Sequence, residues 1–279
     1  MKKPILVVDS FYRQQQILAI ESRTPSIAME SLLAKMLNPI TASFATLKAS
    51  FVNTADGENV HLTKDETRLI KKVESYKYVN LKDRTIVVPE GFNGNWLAYT
   101  NSLLECTEYL SKLEVRLNDY LVYIGGLMNS PDGQKSMRDN TVLYRNMEKR
   151  RGDFNKERQG FFDQTSTRTT QTYQTVMQRN EDWKSLFGNL RELERKINLI
   201  SRKTLLAKVE EIDTVLGVMV RSIQAGSLNQ LTGPAVREVS EAAFTLAHEV
   251  EFFSVVYYEI LTFTNAVNAT VKQIMDLPE

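Results

Sequence analysis

Residues 234–275 read PAVREVSEAAFTLAHEVEFFSVVYYEILTFTNAVNATVKQIM. Val236, Val239, Ala243, Leu246, Val250, Phe253, Tyr257, Ile260, Thr264, Val267, Val271 and Ile274 recur in steps of three and four. That spacing lines residues along one face of a helix. Thr232-Gly233-Pro234 adds a cap and a proline at the first helical position, where a missing N–H is tolerated. Between Phe252 and Phe263 nine of twelve residues are apolar, so the stripe widens to almost the full circumference. A helix apolar all round is buried on more than one side. The stretch predicts a helix over about 234–275 whose middle lies inside a bundle or an oligomer.

The same periodicity recurs upstream. Trp96, Leu103, Leu110, Leu117 and Ile124 repeat every seven residues, as do Tyr99, Cys106, Leu113, Tyr120 and Leu127. Together they form an a/d seam and predict a helix over about 95–129. Ser130-Pro131-Asp132-Gly133 carries a turn signature. Met137, Tyr144, Met147, Phe154 and Phe161 predict a helix over about 134–162. Trp183, Leu186, Leu190, Leu193, Ile197 and Ile200, continued by Leu205, Val209, Ile212, Leu216, Met219 and Ile223, predict another over about 183–224. Between these two lies a polar Thr/Gln-rich segment, 163–182. Its threonines favour strand over helix, so it reads as a linker, an extended arm, or a helix completed by a partner.

Residues 1–92 have a different texture. Ile5–Val8 reads as a short strand, and Ser26–Leu37 and Ile40–Asn53 as short amphipathic helices split by Pro39. Thr63-Lys64-Asp65-Glu66 is a capping box opening a helix to about Tyr76. Tyr78–Leu81 and Thr85–Val88 flank Lys82-Asp83-Arg84, the pattern of a hairpin. The expected fold is therefore mainly α: a small mixed α+β N-terminal head over 1–92 and a long-helix, coiled-coil-like bundle over 93–279.

Composition bounds the function. The chain has 279 residues, 42% hydrophobic and 25% charged, with a formal net charge of +1. Those values argue against global disorder and show no global basic excess of the kind that marks nucleic-acid binders. A single cysteine, Cys106, excludes an internal disulfide and a cysteine-built zinc site. No apolar run approaches the ~20 residues needed to span a bilayer, and the apolar run after Lys2-Lys3 is too short for a signal peptide. The expectation is a soluble chain in a reducing cytoplasm.

The catalytic inventory is thin. Ile5-Leu6-Val7-Val8-Asp9 resembles the opening of response-regulator receiver domains, where such an aspartate helps hold a metal. Ser10 stands where that family has a second acid, and 26–53 reads as helical where strands should alternate, so a partner-binding or edge strand is preferred. Gly133-Gln134-Lys135-Ser136 lacks the glycine that a phosphate-binding loop needs directly before its lysine. His248 and Glu251 have metal-ligand spacing without further ligands, and His61 lies near a turn. Cys106 occupies the apolar seam and reads as a small core residue. No catalytic residue, cofactor or metal site is expected.

Charge is segregated along the chain. Residues 131–162 carry a local net of +3, with Arg145, Lys149, Arg150, Arg151, Lys156 and Arg158 close together; 183–225 carry +3, and 226–279 carry −5. The bland explanation is solvated helix faces. A basic middle complementing an acidic end, within the chain or between subunits, is the functional one. With its heptad stretches, Thr/Gln-rich segment and segregated charge, the chain resembles in general character the virion structural proteins of tailed phages. The resemblance implies a non-enzymatic subunit present in many copies in a capsid, neck, tail or baseplate, with self-association or other structural subunits as partners. The interface candidates are Trp96, Leu103, Leu110, Phe253, Tyr257 and Ile260 on the seams, with Arg150 and Arg151 as contacts to an acidic partner. The alternative is a basic helical nucleic-acid-binding module using 135–158. An enzyme built on Asp9 and a pore-former inserting 252–263 rank below both.

Overall fold

The protein is described here from a computed structural model, over residues 64–88, 92–129, 140–162, 170–200, 202–225 and 233–278. It is mainly α-helical. The expected strand at Ile5–Val8 with Asp9, the helices at Ser26–Leu37 and Ile40–Asn53, His61 and the turn at Ser130–Gly133 lie outside the described residues. In chain order the elements are α1 (Glu66–Leu81), β1 (Thr85–Val87), α2 (Trp96–Leu110), α3 (Leu113–Asn129), α4 (Asn140–Phe161), β2 (Thr170–Thr172), α5 (Tyr173–Val176), α6 (Asp182–Leu199), α7 (Arg202–Gln224) and α8 (Gly233–Met275). The described residues divide between two compact units. One takes in Lys112–Met147 and Ser201–Ser254; the other takes in Glu58–Ser111, Glu148–Ile200 and Val255–Glu279.

The 43-residue α8 is continuous from Gly233 to Met275, matching the helix expected over 234–275. Of the other three expected long helices, the one over 134–162 is a single helix where it is described, Asn140–Phe161, and the other two are each divided. The expected helix over 95–129 stops after Leu110 and restarts at Leu113. There the Ser111 N–H and the Ser111 hydroxyl both donate to the Glu108 carbonyl, at 3.3 and 2.7 Å. A three-residue hydrogen bond thus replaces the four-residue one and closes the helix. The expected helix over 183–224 breaks at Ile200, which is extended (φ −80°, ψ 94°).

In the first unit α3 packs on α7. Leu113, Leu117, Tyr120, Ile124 and Leu127 are buried on α3, and Leu205, Val209, Ile212, Leu216, Met219 and Ile223 on α7. Each fully buried aliphatic side chain of this kind contributes roughly 1.5–3 kcal/mol relative to exposure. The Tyr120 hydroxyl donates to the Val239 carbonyl of α8 at 3.1 Å, so the buried phenol is satisfied.

In the second unit α2 packs on α6 around aromatic rings. Trp96 and Trp183 meet edge to face at 6.3 Å, and Trp183 stacks on Phe187 at 5.7 Å. Phe92 stacks on Phe161 at 6.1 Å and lies 5.8 Å from Phe263 of α8. Gly94 enters this group with φ 152°, and a Cβ there would stand 2.7 Å from the Phe161 ring. Only glycine fits that approach.

The expected hairpin does not form. Tyr78–Leu81 ends α1, after a left-handed kink at Lys77 (φ 52°) that follows the helix end expected near Tyr76. β1 pairs instead with the threonine-rich β2, antiparallel, with Thr85 opposite Thr172, Ile86 opposite Gln171 and Val87 opposite Thr170. Two further bonds, Tyr173 N–H to the Arg84 carbonyl (2.7 Å) and Gln174 N–H to the Lys82 carbonyl (3.1 Å), extend the pairing. The intervening Lys82-Asp83-Arg84 is therefore engaged by a distant segment rather than by a local turn. The described part of the expected head, 64–88, belongs to the same compact unit as α2 and α6.

Candidate functional site

The polar groups inside the second unit converge on α2, α4 and the later part of α8. Glu259 interrupts the most apolar stretch of α8 and is 6% exposed. One of its carboxylate oxygens accepts the Tyr99 hydroxyl at 2.8 Å, and the other accepts the Arg158 Nε–H at 2.8 Å. The Arg158 guanidinium lies 4.7 Å over the Phe162 ring, so its hydrophobic face is covered while its edge serves the carboxylate. Burial, and then the neighbouring Glu259 charge, push the Tyr99 hydroxyl far above its ordinary range and keep it protonated.

One helical turn away on α2, Arg150 reaches back from α4. Its Nη2 lies 3.3 Å from the Ser102 carbonyl, 3.4 Å from Cys106 Sγ and 3.3 Å from Glu157, and its Nη1 lies 3.3 Å from Glu105. The Ser102 hydroxyl donates to Glu157. Cys106 is fully buried, and desolvation pushes its thiol up to about 11 despite the opposing pull of Arg150. A thiol held protonated is a poor nucleophile.

The first unit carries its own buried charge pair. Arg116 of α3 donates from Nε to Glu249 of α8 at 2.6 Å, and the Glu249 side chain has no exposure. Flanking Glu249 on the same helix, His248 and Glu251 approach to 3.8 Å (Nδ1 to Oε2), both less than a tenth exposed. Among the described residues, no three His, Cys, Asp or Glu side chains gather as a metal site. Nor is any helix among them long and apolar enough to cross a membrane.

The structure buries all six seam residues inside the chain's own units. Trp96, Leu103, Leu110 and Ile260 are at 0% exposure, Phe253 at 1% and Tyr257 at 4%. Phe253 lies in the first unit and the other five in the second. Arg150 is half-buried and engaged by Glu105 and Glu157, and Arg151 approaches Glu148 at 3.9 Å. One ion pair, Arg158 with Glu259, joins the basic middle to the acidic end, while Arg150 and Arg151 meet acids outside 226–279. Tyr99 and Arg116 stood outside the sequence-based set of site residues. The available signal was the carboxylates at 249 and 259 within apolar stretches, since a buried carboxylate needs a donor. Nothing in the spacing identified which donor. No family model matches the chain, no curated protein is detectably similar to it, and no solved structure matches its fold.

Proposed function

We propose that the chain is a non-enzymatic structural subunit of a larger oligomeric assembly, a component of a tailed-phage virion in its capsid, neck, tail or baseplate. The observation that carries this reading is the use made of the buried polar groups. Arg116 with Glu249, and Arg158 with Glu259 and Tyr99, tie separate helices together. Buried pairs of this kind add little net stability over apolar packing, but they penalise alternative registers. A part repeated in many copies benefits from a single register. The chemically capable groups nearby, Cys106 and Tyr99, are held in their protonated forms, which suits packing and not nucleophilic attack.

A second reading, a basic module binding nucleic acid through 135–158, is favoured by one observation. Arg145, Lys149 and Lys156 are exposed on α4, at spacings of four and seven that place them on one face. Gly152 and Gly160 leave open space on the same helix. Light scattering during size exclusion, at low and high salt, tests both readings. A defined oligomer at both salt concentrations is expected. A compact monomer free of nucleic acid overturns self-assembly, and nucleic acid co-eluting only at low salt supports the basic module.

A further inference from the structure

The second unit contains a basic cavity that the proposed function does not use. Its volume is about 650 Å³, and it is lined by Arg68, Lys71, Lys72, Ser75, Tyr76 and Asn80 of α1, with Met275 at the end of α8. That volume lies within the range of small-molecule sites. Arg68, Lys71, Lys72 and Ser75 share one helix face by their three- and four-residue spacing.

The acids of α1 are directed elsewhere. Glu66 meets Arg191 at 3.0 Å and Glu74 meets Lys184 at 3.6 Å, both cations belonging to α6. Among the described residues, no acidic side chain lines the cavity. Lys72 is fixed at its wall by the Met275 and Leu277 carbonyls, each 2.5 Å from its Nζ. The ammonium is therefore anchored by backbone carbonyls, and no described carboxylate pairs with it. Arg68 and Lys71 are exposed beside it. The Ser75 hydroxyl donates to the Lys72 carbonyl at 2.7 Å, so it offers a ligand only acceptor capacity. The donors available to a ligand are the Arg68 guanidinium, the Lys71 ammonium, the Asn80 amide and the Tyr76 hydroxyl.

We propose that this cavity is a binding site for a phosphate-bearing ligand. Three cations around one pocket match the charge of a phosphoryl group, near −2, better than that of a single carboxylate. The planar Arg68 fork suits paired phosphate oxygens, with Lys71 as a mobile point charge. Neutral donors at Asn80 and Tyr76 complete a polar lining. The phosphate can come from a free polyphosphate or from a nucleic-acid backbone, and the test separates the two.

The experiment titrates the full chain with inorganic pyrophosphate by calorimetry and with a fluorescent single-stranded oligonucleotide by anisotropy. The wild-type chain and the double variants Arg68→Ala/Lys71→Ala and Lys149→Gln/Lys156→Gln are compared. Binding of at least one probe is expected, weakened about tenfold or more by the α1 variant and unchanged by the α4 variant. Pyrophosphate binding alone identifies a small-molecule site. Oligonucleotide binding with the same α1 dependence identifies a backbone contact. Because both α1 side chains are exposed, the variant should fold, and an unchanged Tm checks this. If it melts early, Arg68→Lys and Lys71→Gln are measured singly. Absence of binding by either probe, or binding that only the α4 variant weakens, overturns the proposal.

Discussion

Two glutamates on α8 meet arginines in different surroundings. Glu249, in the first unit, is wholly buried, and Arg116 approaches it from α3 with little exposure of its own (16%). Glu259, in the second unit, retains slight exposure, has a neutral second donor in Tyr99, and pairs with an arginine that is about one third exposed (34%). The chemistry is the same, but the alternatives left when a partner is removed are not. With its guanidinium removed, the Glu249 side chain stays wholly buried, whereas the Glu259 side chain keeps a slightly wet flank beside the Tyr99 phenol. The comparison separates the strength of an interaction from the cost of removing half of it.

The largest effect is expected where burial is complete. Arg116→Ala should lower unfolding free energy by about 3–5 kcal/mol, read from urea denaturation. An intermediate loss is expected in the other unit. Arg158→Ala should cost about 1.5–3 kcal/mol, because the Tyr99 hydroxyl still donates to Glu259. Equal losses in the two variants would erase the distinction between the units. If the second loss rises to match the first only when Tyr99→Phe is added, the phenol is the source of the difference.

The smallest effect on stability concerns Cys106, where the readout is reactivity. With the folded thiol at about 11 against an ordinary 9.0, its thiolate fraction at pH 8 falls about a hundredfold. Alkylation by iodoacetamide should be slowed at least that much in the folded chain and restored in denaturant. The linkage has a definite sign. Because the folded value is raised, the contribution is fully present below pH 9 and is lost as pH rises toward 11. A native labelling rate equal to that of the unfolded chain would show the thiol to be accessible and the seam around it open.

The legibility of the fold varied with the kind of signal. α8 was readable almost to the residue because its periodicity is long, unbroken and opened by Pro234. The division at Ser111 was not, since Leu110, Leu113 and Leu117 keep three- and four-residue steps straight through it. Periodicity records which face is buried and is silent about whether the backbone between two buried residues stays helical. The break at Ile200 left a trace, because the next core residue, Leu205, comes five positions later. The β1–β2 pairing was out of reach, as a local hairpin signal competed with a partner 85 or so residues away, and only tertiary structure chooses between them. Within the site, buried carboxylates announced that donors were needed. The identities of Tyr99, Arg116 and Arg158 depended on which helices pack together.

The closure of β1 has a consequence for the order of folding. The Val87 N–H donates to the Gln273 side chain at 3.1 Å, and the Val87 carbonyl accepts the Thr270 hydroxyl at 2.8 Å. A strand made early is thus sealed by side chains made more than 180 residues later. At ribosomal rates of about 5–20 residues per second, that edge waits roughly ten seconds or more for its cover. Until then it presents unsatisfied backbone to any neighbouring nascent chain. The last turns of α8 therefore act as a clasp fitted more than 180 residues after the strand it covers, and the interval before it closes is when that edge is most exposed to mispairing.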